Sequence, residues 1–337
     1  MSKKVSMQDI ANRLNISRMT VSKVFNDDKD ISSEMKDKVR LMAQEMGYQY
    51  KKNDQFNLVV LVPEVFLAAT EDFYTTLYKR LNENAVTKNV SLVLKIVNKQ
   101  DENNLNLNFN VQGKDGILML GQFSKVFVNE VKKFDLPIVC IDFYYDDLAL
   151  DSIVSNNFNA GYIATKYLIK KGHHDIGFIG KIPSTNSIID RYLGYSKALL
   201  EYGLDLKEAK IIPDRDELGN MIDLKLPEKL PSAFLCNNDH IAYLLIQQLE
   251  KINIKVPEEV SVIGFDDVIY SKISNPQITT MKVSRKYMAE QAMYLMLRRI
   301  HNKKAKLINM TLECLMVERD SVKSYEGEKW KNFFYLF

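Results

Sequence analysis

The stretch SMQDIANRLNISRMTVSKVFN, residues 6–26, decides the fold of the N-terminal region. Its apolar residues recur at helical spacing in two short blocks, and Ser6 and Ser17 stand where each block needs an N-cap. A third amphipathic block follows at residues 35–46 and ends at Gly47. Two short helices joined by a tight turn, with a third helix after them, predict a helix-turn-helix domain.

The second helix of this motif carries the side chains that we expect to contact DNA. Arg18, Met19 and Lys23 project from its polar side. Because the major groove admits one helix whose N-terminal residues reach base edges, the polar side of this helix is the expected DNA-facing surface. Short polar side chains around them suit phosphate oxygens. They are Ser17, Thr20, Ser22 and Asn26.

The distribution of charge favours a nucleic-acid partner. Residues 1–57 carry eleven Lys and Arg against eight Asp and Glu, whereas the remaining 280 residues carry 35 of each. A basic head on a neutral body is typical of nucleic-acid-binding proteins. A solvated charged face on any small helical domain gives the same count, so charge alone leaves both interpretations open.

Length and composition exclude several classes of protein. A chain of 337 residues suggests two or three domains of about 150 residues, and 46% apolar residues exclude wholesale disorder. The sequence has no apolar run of about 18 residues and no signal peptide, so we expect a cytoplasmic protein that does not enter a membrane. Cys140, Cys236 and Cys314 are far apart and predict reduced, buried thiols.

Beyond residue 57, short apolar runs alternate with amphipathic helical stretches. Strands that are apolar throughout and separated by helices predict a parallel sheet covered on both faces. Residues 104–111 alternate Asn with apolar side chains at period two, and this stretch stays open between strand and helix. The candidate strands are residues 58–62, 91–97, 116–120, 137–142, 176–180, 209–212, 233–236 and 260–265, and the candidate helices lie near residues 72–88, 124–134, 159–171, 191–202, 239–251 and 285–300.

Six motifs can be compared with known families: residues 5–11 and 16–26 in the head, and residues 172–180, 190–195, 238–242 and 256–267 in the body. Together they resemble the lactose-repressor (LacI/GalR) family of transcriptional regulators. The resemblance implies an α/β protein with a small all-α helix-turn-helix headpiece. Two doubly wound parallel-sheet subdomains of the periplasmic-binding-protein-like type follow the headpiece. The resemblance also implies that Arg18 and Met19 read bases, with Lys23 as a third base reader.

The resemblance also implies domain boundaries. We expect a headpiece at residues 1–49, a short linker at 50–57, an effector-binding core at 58–325 and an aromatic tail at 326–337. Subdomain one comprises residues 58–157 and 284–313, and subdomain two comprises residues 158–283 and 314–325. The tail places Trp330, Phe333, Phe334 and Phe337 on one helical face, which either docks on the body or joins subunits into a higher oligomer.

Polar side chains at strand ends predict the effector site. Ligands of open parallel sheets bind beyond the carboxyl ends of the strands, and Arg191, Asn238 and Asp266 follow three such strands. A guanidinium, an amide and a carboxylate suit a polyhydroxylated ligand, and the resemblance implies the same three contacts. Phe73 and Tyr74 are placed to stack on a sugar face, although such aromatics are more often core residues.

Two acidic neighbours have an alternative role. Asp239 and Asp267 directly follow Asn238 and Asp266 and stand next to candidate helices. Aspartate is a preferred N-cap residue, so capping is as good an interpretation as ligand binding for both.

These observations predict a ligand-responsive repressor that binds double-stranded, roughly palindromic operator DNA as a homodimer. One short helix reads too few bases, and a two-fold pair supplies two half-sites. The expected effector is a sugar or sugar derivative bound between the two subdomains. The alternatives are a regulator that responds to a nucleobase or a partner protein, and a sugar-binding or enzymatic protein whose head serves another purpose.

Catalytic and cofactor motifs do not occur in the sequence. It has no HExxH, G-x-S-x-G or P-loop pattern, and no GxGxxG follows a strand. We therefore expect no enzyme activity, no metal site and no cofactor.

The linker departs from the family pattern and predicts a nearly straight operator. Family members follow Gly-Tyr with a Pro-Asn-x-x-Ala-x-x-Leu segment whose Leu wedges the minor groove, whereas residues 48–57 read YQYKKNDQFN. Because apolar wedges are what kink DNA, the bend should be small. Lys51 and Lys52 then either contact phosphates or belong to a polar tether.

Gel mobility of DNA fragments checks the expected bend. Fragments that carry the operator at the centre or at the end should migrate alike when the protein is bound. A strong dependence on operator position would contradict the interpretation of the linker as a tether.

Overall fold

The computed structural model describes residues 5–25, 28, 30–48, 55–67, 72–217 and 219–324. The chain forms two compact units, a small helical head and a larger α/β body. Within the described ranges, no helix has the length and apolar character that crossing a bilayer requires. The predicted contact Asn26, most of the linker and the aromatic tail lie outside these ranges.

Three helices form the head, as the sequence predicted: α1 (Met7–Leu14), α2 (Arg18–Phe25) and α3 (Ser33–Glu45). Ser6 and Asp9 cap α1 reciprocally, because Ser6 Oγ accepts from the Asp9 N–H and the Asp9 carboxylate accepts from the Ser6 N–H at 2.8 Å. Ser17 Oγ accepts from the Thr20 N–H at 3.0 Å and caps α2. The fully buried core residues of the head are Ile10, Ala11, Val21, Val24 and Val39.

Twelve strands occur among the described residues of the chain, and all belong to the body apart from the first residues of β1 and β2. They are β1 (Phe56–Pro63), β2 (Val90–Val97), β3 (Gly116–Leu120), β4 (Ile138–Ile141), β5 (Asp151–Ser155), β6 (Ile176–Ile179), β7 (Ile211–Ile212), β8 (Ala233–Cys236), β9 (Ser261–Asp266), β10 (Thr279–Lys282), β11 (Asn309–Leu312) and β12 (Leu315–Val317). The helices that cover them are α4 (Asp72–Thr87), α5 (Lys99–Asn103), α6 (Lys125–Lys132), α7 (Asn157–Lys170), α8 (Asn186–Glu201), α9 (Asp239–Lys251), α10 (Ile269–Ile273) and α11 (Arg285–His301), and a 3-10 helix spans Glu64–Leu67.

The strands form two six-stranded sheets, so the fold is the predicted pair of parallel-sheet subdomains. The first sheet has the order β11-β5-β4-β3-β1-β2, and the second has the order β12-β10-β9-β8-β6-β7. In the second sheet β12 runs antiparallel to β10, and the remaining neighbours pair in parallel. The chain passes between the sheets after β5, after β10 and after β11, near residues 156, 283 and 313.

The stretch that the sequence left open is neither a strand nor a helix. Residues 104–111 form a loop after α5. Their alternation has a packing cause, because Leu105, Leu107, Phe109 and Val111 lie against the hydrophobic core of the first subdomain. A period of two therefore marks a loop that covers a core without pairing to a sheet.

The three cysteines are free and buried, as expected. Burial raises the pKa of Cys140 and of Cys314 to about 12, so these thiols stay protonated and unreactive at neutral pH.

Candidate functional site

The exposed end of α2 carries two of the predicted base readers. Arg18 and Met19 lie in the first turn, both are exposed, and Met19 keeps 71% of its surface accessible. The opposite face of α2 is anchored in the core by Val21 and Val24. The helix therefore presents its N-terminal side chains on a fixed support, the arrangement that base reading in a major groove requires.

The other predicted DNA contacts differ in their availability. Ser17 is exposed and shares a 2.9 Å hydrogen bond with the Thr20 hydroxyl in addition to capping α2, and Ser22 is half-buried. The third predicted base reader, Lys23, is ion-paired: its Nζ lies 3.5 Å from Asp28 Oδ2 and 3.7 Å from Asp30 Oδ2. The sequence did not indicate that the acidic turn would engage this lysine.

All five predicted effector residues line one pocket between the two sheets. They are Phe73, Tyr74, Arg191, Asn238 and Asp266. The pocket is completed by side chains that the sequence did not single out. These are Phe66, Asp142, Thr185, Ser187, Ile188, Arg215 and Asn237. The two halves of the chain thus contribute opposite walls, because residues up to 142 belong to the first subdomain and residues from 185 to the second.

The Arg191 guanidinium is buried and held from several sides. Its Nε donates to Asn157 Oδ1 at 2.9 Å, and its Nη1 donates to the Asn237 carbonyl at 2.6 Å. Its Nη2 lies 3.5 Å from Asp266 Oδ1, and the guanidinium carbon lies 3.7 Å from the centre of the Phe265 ring. Arg191 is therefore a fixed positive charge at the base of the pocket.

Two carboxylates of the pocket are incompletely satisfied. Among the described residues, Asp142 Oδ1 and Asp266 Oδ1 are buried without a hydrogen-bond partner, although the Arg191 guanidinium is near Asp266. Burial raises the pKa of Asp142 to about 6, opposed by the Tyr74 hydroxyl that donates to its Oδ2 at 2.7 Å. Burial also raises the pKa of Asp266. Buried acceptors of this kind call for donors from a ligand.

Asp142 was missed by the sequence interpretation, although a signal existed. It directly follows β4, one of the predicted strands, and the strand-end rule that found Asp266 applies to it equally. The next residue, Phe143, is fully buried core. Tyr74 is both core and pocket, because its ring stacks on Phe66 with centroids 4.6 Å apart.

The capping role suggested for Asp239 and Asp267 is wrong. Asn238 is the N-cap of α9, and its Oδ1 accepts from the Ile241 N–H at 2.8 Å, which leaves the amide nitrogen as its donor. Asp239 is fully buried and accepts from the Thr280 hydroxyl at 2.5 Å and the Val268 N–H at 2.8 Å. Asp267 accepts from Arg319 Nη2 at 2.5 Å.

A second cavity adjoins the pocket and is much larger, at about 1140 Å³. The two share Phe66, Thr185 and Arg215. Its apolar lining includes Val65, Ile96, Phe123, Met221 and Leu244. Two of its charged side chains already have partners in the protein, since Glu102 accepts from the Ser124 N–H at 2.6 Å and Arg215 pairs with Asp214 at 2.8 Å. We call this cavity the outer chamber and the first one the inner pocket.

Comparison with known proteins gives a consistent set of relatives. The profile described as bacterial regulatory proteins, lacI family, matches residues 6–50, and that of the periplasmic binding protein-like domain matches residues 165–322. The chain is 28% identical over 335 residues to the HTH-type transcriptional repressor PurR of Pasteurella multocida (strain Pm70). That alignment covers 95% of this chain and 99% of the relative.

Solved structures show the same fold. A LacI family transcriptional regulator from Enterococcus faecium with bound ribose superposes with a TM-score of 0.69 at 21% identity, covering 80% of this chain and 100% of that one. The lac repressor dimer bound to operator and the anti-inducer ONPF gives a TM-score of 0.67 at 19% identity, covering 95% and 100%.

The raised pKa of Asp142 predicts a pH-dependent penalty on folding. Its pKa is about 6 in the folded protein against an ordinary 3.8, so the folded state binds the proton more tightly than the unfolded state. Stability is therefore lost as pH rises through this window, by on the order of 2–3 kcal/mol at neutral pH. Asp142→Asn should remove the loss and stabilise the ligand-free protein at pH 7.5, with a smaller difference at pH 4.5.

Urea unfolding at the two pH values measures this difference. Asp223→Asn, the same change at an exposed site of the body, is the matched control and should have little effect. An Asp142→Asn variant that is no more stable than the parent at pH 7.5 would show that the carboxyl carries no burial penalty.

Proposed function

Because the chain belongs to the lacI family of bacterial regulatory proteins, we propose that this DNA-binding transcriptional repressor acts as a homodimer controlled by a small molecule in the inner pocket. It is a regulator and not an enzyme, like the relatives it matches. The observation that carries the proposal is the combination of an exposed recognition helix in the head with a pocket in the body, where Asp142 and Asp266 each have one buried oxygen without a hydrogen-bond donor among the described residues.

The head supports operator binding by two subunits. α2 has eight residues, and Arg18 and Met19 are its exposed N-terminal side chains. A helix of this length contacts only a few base pairs, so a specific site needs a second copy on a neighbouring half-site. A two-fold dimer and a roughly palindromic operator follow from this requirement.

The inner pocket favours a neutral ligand that is rich in hydrogen-bond donors. Asp142 Oδ1 and Asp266 Oδ1 require donors. Because Arg215 is already paired with Asp214, the two carboxylates face only the Arg191 guanidinium, and this charge balance disfavours an anion. The nitrogen of Asn238 supplies a donor for a ligand oxygen. Adjacent hydroxyls of a sugar or sugar derivative match this mixture of acceptors and donors.

A nucleobase is the second candidate effector. The stacked pair of Phe66 and Tyr74 offers a flat surface, and ring N–H groups of a base would also satisfy the two aspartates. The relative from Pasteurella multocida is a repressor named PurR, whereas the Enterococcus faecium regulator holds ribose. Sugars and nucleobases are both neutral compounds that carry hydrogen-bond donors. The pocket chemistry therefore favours either class over a phosphorylated sugar.

The outer chamber favours an effector longer than one ring. Its walls are largely apolar, and Glu102 and Arg215 are already paired within the protein, so it adds contact area with few hydrogen bonds. We infer that the inner pocket selects the polar end of the ligand and that the outer chamber accommodates a less polar extension.

A thermal-shift screen of the full chain tests the effector class, because a ligand raises apparent stability by mass action. Neutral sugars, their glycosides, nucleobases and nucleosides are compared with the matching phosphates. Stabilisation by neutral compounds supports the proposal. Stabilisation by the phosphates alone would overturn it.

Asp266 should be required for effector binding and dispensable for operator binding. Asp266→Asn keeps the shape of the side chain but removes a charged acceptor, which should weaken the stabilising ligand about tenfold or more. Calorimetry with the compound found in the screen measures the loss, and gel shift measures operator binding. Unchanged ligand affinity would remove Asp266 from the site, and Asp223→Asn is the control.

Arg18 should determine the identity of one or two operator positions. A lost bidentate base contact costs about 1–3 kcal/mol of discrimination, so Arg18→Ala should relax the preference at those positions. Selection from a random DNA pool, followed by binding to single-base variants, measures it. Arg13→Ala removes an exposed charge from α1 and should leave the preference intact. A uniform loss of affinity across all variants in Arg18→Ala would refute base reading.

A further inference from the structure

Hydrogen bonds and ion pairs connect the last turn of α2 to the acidic residues that follow it. The Asp28 N–H donates to the Lys23 carbonyl at 3.0 Å, and Asp28 Oδ1 accepts from the Asp30 N–H at 3.0 Å. Asp28 Oδ2 then lies 3.5 Å from Lys23 Nζ, and Asp30 Oδ2 lies 3.7 Å from the same nitrogen. These two hydrogen bonds therefore hold the Asp28 carboxylate beside the Lys23 ammonium.

Lys23 is accordingly a cation with two anions beside it. The Asp30 N–H and then the Lys23 ammonium lower the pKa of Asp28, which keeps this carboxylate ionised under all physiological conditions. The Lys23 side chain remains 40% exposed, so solvent and DNA can reach it. The local charge at this end of α2 is therefore negative, whereas the Arg18 end is positive.

We propose that Asp28 and Asp30 are specificity-determining residues that withhold Lys23 from DNA phosphates. The proposal rests on the DNA-binding role of the head given above. A lysine that neutralises a phosphate releases counterions and adds affinity for every DNA sequence alike. Two carboxylates that occupy the lysine and repel phosphate suppress this contribution. Discrimination is then left to Arg18 and Met19 at the N-terminal end of the helix, and the ratio of specific to random binding rises.

The double variant Asp28→Asn/Asp30→Asn of the full chain tests this role. Binding to a short random-sequence duplex is measured over a range of salt concentrations. Release of Lys23 should strengthen binding about fivefold at physiological salt and steepen the logarithmic salt slope by about 0.9, the value of one phosphate contact. Asparagine can still accept from the residue 30 N–H, and circular dichroism verifies that the head remains folded.

A control pair separates this effect from a change of net charge. Glu34→Gln/Asp37→Asn removes two exposed acidic groups from α3, and neither side chain forms an ion pair with Lys23 among the described residues. The control should change the salt slope by much less than the test variant. Equal effects of the two pairs would overturn the proposal, because net charge alone would then explain them.

The variant Lys23→Met tests whether the gain in affinity requires the lysine. When Lys23→Met is the only substitution, binding to random DNA should change little, because the lysine is already withheld from the phosphates. Combined with Asp28→Asn/Asp30→Asn, it should abolish the gain in affinity and in slope. A gain that persists without the lysine would overturn the proposal and assign the two aspartates to simple repulsion. Failure of the parent to prefer its selected operator over random DNA would instead contradict the DNA-binding function.

Discussion

The buried Arg191 guanidinium is the group on which the geometry of the inner pocket depends. Burying a cation costs free energy unless its N–H groups are hydrogen-bonded or ion-paired. The Arg191 guanidinium donates to Asn157 and to the backbone at the end of β8, and it lies next to the carboxylate at the end of β9. The strand ends and the start of α7 are thereby fixed relative to one another. Asp266 is brought into the pocket in a left-handed backbone conformation, with a φ of 99°, that a non-glycine residue adopts rarely.

The position of Arg191 in turn depends on how closely α7 and α8 approach. A Cβ atom at Gly194 would lie 2.0 Å from the Phe158 carbonyl oxygen, and one at Gly161 would lie 2.3 Å from the Arg191 carbonyl oxygen. The two helices therefore touch backbone to backbone, and only glycine fits at these points. This contact places the arginine at the cleft, from where it faces Asp142 of the first subdomain across the pocket.

Much of this arrangement follows from local sequence. Apolar runs followed by Asn238 or Asp266 located the strand ends, and serines before amphipathic blocks located the caps of the head. The sequence did not predict four of the strands, β5, β10, β11 and β12. These strands are three to five residues long, and three of them begin with a polar side chain. Their pairing depends on where the chain crosses between the two sheets. It joins residues that are far apart in the sequence, so local composition does not predict it. The Lys23 ion pairs likewise depend on the shape of a turn.

We propose that ligand binding in the body controls DNA binding by the head. Fluorescence anisotropy of a labelled operator, selected from a random pool and titrated with the full chain, tests it most directly. The compound that stabilises the body is either present at saturation or absent. The operator dissociation constant should change at least tenfold between the two conditions, while binding to random DNA changes little. A ligand that stabilises the protein but leaves operator affinity unchanged would contradict it.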